Sequence, residues 1–193
     1  MAVIAHVICN CYERNSKKML QKKICMLGAF GVGKTSLVST FTGAEFRGDY
    51  TTTVGVRINQ KNLIVNHTSF NLLIWDIAGE DDFQTTPEAY LNGTAGYILV
   101  ADVTRRETFV KAREIQRRMQ DALGDIPFVF VLNKFDLTQE WDIDRDLIDR
   151  LLANNWQIVE SSARTGMGVE KVFNLLAQQI LGQGNGPLSF TSP

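Results

Sequence analysis

Gly28-Ala29-Phe30-Gly31-Val32-Gly33-Lys34-Thr35 follows directly on the apolar run Ile24-Cys25-Met26-Leu27. The segment before it, Lys23 to Gly28, is β-rich, and the segment after it, Lys34 to Phe41, has the spacing of an amphipathic helix. Strand, glycine turn and helix is the context in which G-x-x-x-x-G-K-[ST] has a mechanism, and Gly28, Gly33, Lys34 and Thr35 fill its fixed positions. Glycines let the backbone turn tightly and aim successive N–H groups inward, while the helix N-terminus adds partial positive charge. The pattern predicts a cradle for β- and γ-phosphates, with Lys34 as a point charge on their oxygens and the Thr35 hydroxyl on Mg²⁺. Taken alone, a glycine-rich turn with a solvated lysine fits the same letters, so the rest of the chain has to decide.

The remaining strands and helices are arranged as such a motif requires. Val54 to Val65 and Ser69 to Asp76 are extended runs flanking Asn66-His67, the pattern of an antiparallel hairpin. Gly96 to Asp102 and Pro127 to Asn133 are continuous apolar runs of the type buried on both faces of a parallel sheet. Arg105 to Leu123, Asp142 to Ala153 and Val169 to Leu181 show helical spacing, and Trp156 to Glu160 reads as a last strand. The alternation predicts a doubly wound α/β fold: about six strands, mostly parallel, with one antiparallel edge strand and helices on both faces. Residues 1–21 read as an N-terminal extension, 22–181 as the folded domain, and 182–193 as a loose tail.

Composition narrows the possible partners. The 193 residues, 45% hydrophobic, suffice for one well-buried core. With 20 basic against 21 acidic residues, no whole-molecule field draws the chain to nucleic acid or anionic lipid, so no nucleic-acid partner is expected. Three cysteines without framework spacing point to a reducing, cytoplasmic setting. Cys25 reads as a small core residue, and Cys9 and Cys11 as reduced surface thiols. No run reaches the roughly 20 apolar residues of a bilayer span, and the terminal Leu-Ser-Phe-Thr-Ser-Pro offers no cysteine to prenylate. Membrane association is therefore expected only through a partner or the N-terminal tail.

Three further motifs select the base and the reaction. Asp76-Ile77-Ala78-Gly79 is a D-x-x-G at a strand end, placing Asp76 to hold a Mg²⁺-bound water and the Gly79 N–H to touch a γ-phosphate. Asn133-Lys134-Phe135-Asp136 is an N-K-x-D at another strand end. Asp136 can accept from guanine N1–H and the exocyclic amine, a pair of donors that adenine lacks. A site left with unpaired acceptors rejects the wrong base by orders of magnitude. Glu160-Ser161-Ser162-Ala163-Arg164 follows the last strand, where the Ala163 N–H can reach guanine O6. Each motif is short, and their order and strand-end placement give the combination its weight. Kinases and ATPases share the first motif, but N-K-x-D disfavours them.

On these motifs, residues 22–181 resemble the Ras superfamily of small GTPases, with the Rab and Ras branches nearest in overall look. The resemblance implies a GTP/GDP-binding switch with Mg²⁺ as cofactor and a low intrinsic rate of GTP hydrolysis. Phe30, Gly31, Val32 and Ser36 complete the phosphate loop by this comparison. Asp49 to Gly55 resembles the first switch, with Thr53 as a ligand of Mg²⁺ and sensor of the γ-phosphate, Tyr50 over the phosphates, and Phe46 against the guanine. Trp75 to Glu80 resembles the start of the second switch, Lys134 would lie along the base, and Ser162, Ala163 and Arg164 form the final base loop. Thr35, Thr53 and Asp76 are the implied metal set, and Lys34, Thr53 and Glu80 the implied catalytic set. Effector, GTPase-activating and exchange proteins are implied as partners without being identified.

Two positions depart from the family. Glu80 stands where the family usually has a water-orienting glutamine; its carboxylate can accept from water but cannot donate to a phosphate. Phe30 occupies a position where Ras has glycine, and there it either obstructs an incoming arginine finger or packs against switch residues. The alternative function these departures support is a GTP-dependent recruiting scaffold with little hydrolysis.

Overall fold

The computed structural model describes residues 20–43, 50–51, 56–77, 90–143 and 145–182. The elements in chain order are β1 (Leu20–Gly28), α1 (Lys34–Thr42), β2 (Tyr50–Thr51), β3 (Val56–Val65), β4 (Thr68–Ile77), β5 (Thr94–Asp102), α2 (Glu107–Leu123), β6 (Phe128–Asn133), α3 (Arg145–Ala153), β7 (Ile158–Glu160) and α4 (Val169–Gly182). They build one sheet in the order β2-β3-β4-β1-β5-β6-β7. β4, β1, β5, β6 and β7 run parallel, and β3 is antiparallel to β4, as the alternation predicts. Beyond β3, the two-residue β2 adds a short seventh strand, with Tyr50 opposite Ile58 and Thr51 opposite Arg57.

Local chemistry explains the elements and where their ends differ from the sequence pattern. The β3–β4 turn puts both Asn66 and His67 at positive φ, 49° and 62°, the twist that lets a two-residue turn match the strands it joins. β1 begins at Leu20, before the apolar run, because Leu20 to Lys23 pair in parallel with Phe70 to Leu73. Lys23 is accommodated over the Trp75 ring, 3.8 Å from its centroid, and donates to the carbonyl of Tyr90 at 2.6 Å. α2 starts at Glu107 and not at Arg105, since Asp102 to Arg106 form a turn closed by Thr108, whose hydroxyl donates to the Arg105 carbonyl at 2.7 Å. The expected tails fall outside the described residues, except that Leu20 and Gln21 belong to β1 and Gly182 closes α4.

The core lies on both faces of the sheet. On one face, Leu37, Val38 and Phe41 of α1 and Phe173, Leu176 and Ala177 of α4 cover Ile24, Met26, Ile98 and Val100. Phe41 and Phe173 stack with centroids 3.7 Å apart. Both rings are essentially inaccessible, so truncating either to alanine should cost about 3–5 kcal/mol. On the other face, Phe109, Ala112, Ile115 and Met119 of α2 and Leu151 of α3 cover Leu27, Leu99, Ala101 and Leu132. Strands β1, β5 and β6 are thus sealed on both sides, and their carboxyl ends Gly28, Asp102 and Asn133 emerge together at one edge, the place where open α/β sheets bind ligands.

Candidate functional site

At that edge, β1 ends on Gly28, whose φ of 144° is reserved for glycine and whose Cβ would run into the Val100 carbonyl oxygen. Gly31 and Gly33 continue the turn at φ 72° and 98°, and a Cβ on Gly33 would collide with the side-chain amide of Asn133. The backbone therefore turns sharply into α1. Val32 is fully buried and anchors the turn, while Phe30 stands 70% exposed at its apex. Most of the switch residues against which it would pack, 44–49, 52–55 and 78–89, lie outside the described residues.

Lys34, only 6% exposed, donates to the carbonyls of Gly28 and Ala29, both at 2.9 Å. Burial pulls its ammonium down to about 8, against a smaller opposing effect of Asp76. Thr35 donates its hydroxyl to Asp76 Oδ2 at 2.6 Å, bringing the glycine turn and the end of β4 together. The other oxygen, Asp76 Oδ1, is buried with no hydrogen-bond partner among the described residues. A buried carboxylate oxygen without a donor is costly, and a hard cation bridging it and the Thr35 hydroxyl would satisfy both oxygens. No group of three or more His, Cys, Asp or Glu among the described residues could hold a metal ion unaided. Further oxygens, such as those of phosphate, would be needed, and the donor set fits Mg²⁺ in that sense.

Next to the turn, β6 ends in Asn133, 1% exposed. Its amide donates to the Val32 carbonyl at 2.8 Å and its oxygen accepts from the Ala163 N–H at 3.1 Å, so one side chain fastens the glycine turn to the loop after β7. Lys134 adopts φ 64° and directs its ammonium to Asp102 Oδ2 at 2.6 Å. Asp136 accepts from the buried Ser162 hydroxyl at 2.6 Å and from Arg164 Nε at 2.9 Å. The Ser162 hydrogen bond, which outweighs the opposing effect of burial, holds its carboxyl below the usual carboxylate range, with smaller help from a backbone N–H and the Arg164 charge.

A cleft of about 490 Å³ lies between Gly33 and Ser36 on one side and Lys134, Asp136, Ala163 and Arg164 on the other. Size alone does not distinguish it, since a groove of about 460 Å³ runs between α2 and α3 beside Val110, Arg113, Arg117 and Trp156. The convergence of a carboxylate, an amide-braced loop and a glycine turn distinguishes it. Of the residues expected from the sequence, the structure brings together Gly28, Phe30, Gly31, Val32, Gly33, Lys34, Thr35, Ser36, Asp76, Asn133, Lys134, Asp136, Ser162, Ala163 and Arg164. Tyr50 is described only as a residue of β2, and Phe46, Thr53, Gly79 and Glu80 lie outside the described residues.

Asp102, its exposure 0%, is the residue whose place at this edge the sequence reading missed. Burial alone would raise its carboxyl, but donors from Lys134, Thr104 and Arg105 hold it below the usual range. A carboxylate closing the apolar run Gly96 to Ala101 is the sequence feature that could have drawn notice.

Fold and edge geometry define an α/β P-loop domain with its ligand edge at the carboxyl ends of β1, β5 and β6. The Ras family model matches residues 23–182. The chain is 32% identical over 182 residues to the Ras-related protein Rab-26 of Drosophila melanogaster, an alignment spanning 91% of this chain and 46% of that protein. It is 33% identical over 162 residues to Ras-related protein Rab-18-B of Danio rerio, spanning 82% of this chain and 78% of that one. The chain thus spans about half the length of the Drosophila relative. It belongs to the Ras family and is Rab-like in sequence. No helix among the described residues is long and apolar enough to cross a membrane.

Proposed function

We propose that this chain is a GTP-binding molecular switch that holds GTP or GDP with Mg²⁺ and hydrolyses GTP slowly. The observation that carries the reading is Asp136, a carboxylate fixed by Ser162 at the cleft and directly across from the glycine turn. Its acceptors match the N1–H and amine of guanine, and the Ala163 N–H beside it, which here donates to Asn133 Oδ1, would exchange that acceptor for O6. Lys134 supplies an apolar stem along the base plane. Gly31 and Gly33 N–H groups and the Lys34 ammonium bind the phosphates, and Lys34 exchanges two neutral carbonyls for anionic oxygens.

Thr35 and Asp76 would hold Mg²⁺, with Thr53 completing the set when GTP is bound. The ion when bound neutralises charge on the phosphate oxygens. In hydrolysis, Lys34 and the loop N–H groups stabilise the charge that develops as water attacks in line. Glu80 accepts from that water, and Thr53 and Gly79 release their segments once the γ-phosphate has gone. Effector, activating and exchange proteins would read and drive that change.

The test is Asp136→Asn. Wild type should bind GTP at least about 10⁴-fold more tightly than ATP. The variant should weaken GTP and favour xanthosine triphosphate, whose base presents an acceptor to the new amide. Equal affinity for GTP in variant and wild type would remove Asp136 from the site. Single-turnover phosphate release from bound GTP tests hydrolysis separately; bound GTP that stays intact would leave a recruiting scaffold.

A further inference from the structure

The phosphate loop is braced from outside at two carbonyls, and only one brace belongs to the motifs. Asn133 holds the Val32 carbonyl. The second is Arg105, from the turn between β5 and α2, whose Nη2 donates to the Phe30 carbonyl at 2.8 Å. The same guanidinium is fixed through Nε to Asp102 Oδ2 at 3.0 Å. Asp102 is held in turn: Oδ1 accepts from the Thr104 N–H and hydroxyl at 3.0 and 2.8 Å, and Oδ2 from Lys134 at 2.6 Å. Thr108 closes the turn beneath, accepting from the Asp102 N–H at 3.0 Å. Arg105 is therefore not a loosely tethered surface side chain; its root and its guanidinium are both fastened.

In a trans peptide unit the carbonyl of one residue and the N–H of the next point in opposite directions. A carbonyl pulled outward at Phe30 thus aims the Gly31 N–H inward, and the same pull at Val32 aims the Gly33 N–H inward. A Cβ built on Gly31 would lie 3.6 Å from Arg105 Nη2, so the guanidinium rests against the outer surface of that turn. At φ 72° and without a side chain, Gly31 has nothing of its own to hold this orientation.

We propose that Arg105 is a positioning residue that aims the Gly31 N–H at the phosphates and slows nucleotide release, and that through Asp102 it ties the phosphate loop to the base-contacting Lys134. The proposal rests on the reading of this loop as a phosphate cradle. Arg105 touches no phosphate itself. Lysine cannot replace it, because one ammonium cannot reproduce a planar fork that binds Asp102 and the Phe30 carbonyl with separate nitrogens.

The experiment uses the full chain loaded with a fluorescent GDP analogue for release rates, and with GDP and ¹⁵N label for amide exchange. Arg105→Ala and Arg105→Lys should both speed release about tenfold, the worth of one charge-assisted hydrogen bond. Gly31 amide exchange should accelerate while that of Gly33, still braced by Asn133, stays as in wild type. Release at the wild-type rate from Arg105→Ala overturns the proposal, as does full rescue by lysine. Equal acceleration at Gly31 and Gly33 also overturns it, since that would be general loosening. Those results leave the proposed function standing if wild type retains GDP; a wild type that holds no guanine nucleotide overturns both.

Discussion

At the base side of the cleft every polar side chain that converges has a protein partner of matched charge or polarity: Asn133 with Val32 and Ala163, Asp136 with Ser162 and Arg164, Lys134 with Asp102. At the phosphate side, the Lys34 ammonium donates to two backbone carbonyls and has no salt-bridge partner among the described residues, and Asp76 Oδ1 is buried without a donor among the described residues. The base side is preorganised, so its selectivity follows from a fixed array of acceptors and donors. The phosphate side carries unspent electrostatic capacity, so its stability and affinity should respond more strongly to charge, metal and pH.

The strongest way to break this contrast is at Thr35. Thr35→Asn replaces a small hydroxyl by a bulkier amide next to Asp76 Oδ2. Loss of a ligand should lower Mg²⁺-dependent GTP affinity relative to GDP affinity by at least about 10- to 100-fold, the range seen even for groups one step removed from a metal. Nucleotide titrations with Mg²⁺ and with chelator check it. An unchanged ratio of GTP to GDP affinity would show that the Thr35 hydroxyl is only a structural donor to Asp76.

A somewhat smaller effect is expected from pH. Lys34 titrates near 8 in the nucleotide-free fold, because burial disfavours its charge, against an ordinary value of 10.5. The unfolded chain therefore binds more protons than the fold between pH 8 and 10.5, and the stability of the nucleotide-free, chelated protein should rise with pH through that window, by at most about 3 kcal/mol. Phosphate binding has the opposite sign. The ligand requires charged Lys34, so above pH 8 GDP affinity should fall up to about tenfold per unit, with uptake of a proton on binding. Calorimetry at pH 9 in buffers of different ionisation enthalpy measures that proton; none taken up would mean that Lys34 is already charged there.

The same contrast explains what was legible in the sequence. The sheet could be read because β5 and β6 are buried on both faces and leave unbroken apolar runs, and the hairpin because Asn66 and His67 interrupt two extended stretches. The site residues at strand ends could be read because Gly28, Asp76, Asn133 and Ser162 lie in short motifs whose neighbours in sequence share their task. Asp102 shows in the sequence only as a carboxylate closing an apolar run, and Arg105 not at all, since its bond to Phe30 joins residues 75 positions apart and no local pattern encodes it. The strand β2 was missed because two residues show no periodicity. The start of β1 was missed because Gln21, Lys22 and Lys23 look polar until β4 pairs with them and Trp75 receives the Lys23 ammonium.

The finest test lies within the base side and separates two partners of a single carboxylate. Ser162 is buried and donates to Asp136 Oδ1 at 2.6 Å, while Arg164, its side chain 76% exposed, donates to Oδ2 at 2.9 Å. The buried hydroxyl fixes where the carboxylate points, and it also accepts from the Thr165 N–H at 3.2 Å, so Ser162→Ala leaves one acceptor misplaced and one donor unpaired. The readout is preference for GDP over inosine diphosphate, which lacks the exocyclic amine and so reports on Asp136 geometry alone. Ser162→Ala should cut that preference roughly tenfold, the worth of a hydrogen bond to a charged group. Arg164→Ala should change it by less than about threefold, because an exposed ion pair is worth little and is screened by salt. Its direction is informative: the guanidinium occupies an oxygen that the base would use, so its removal should leave guanine binding equal or slightly tighter. A larger loss on Arg164→Ala than on Ser162→Ala would mean that the exposed cation, and not the buried hydroxyl, orients Asp136, and the base side would then be no better preorganised than the phosphate side.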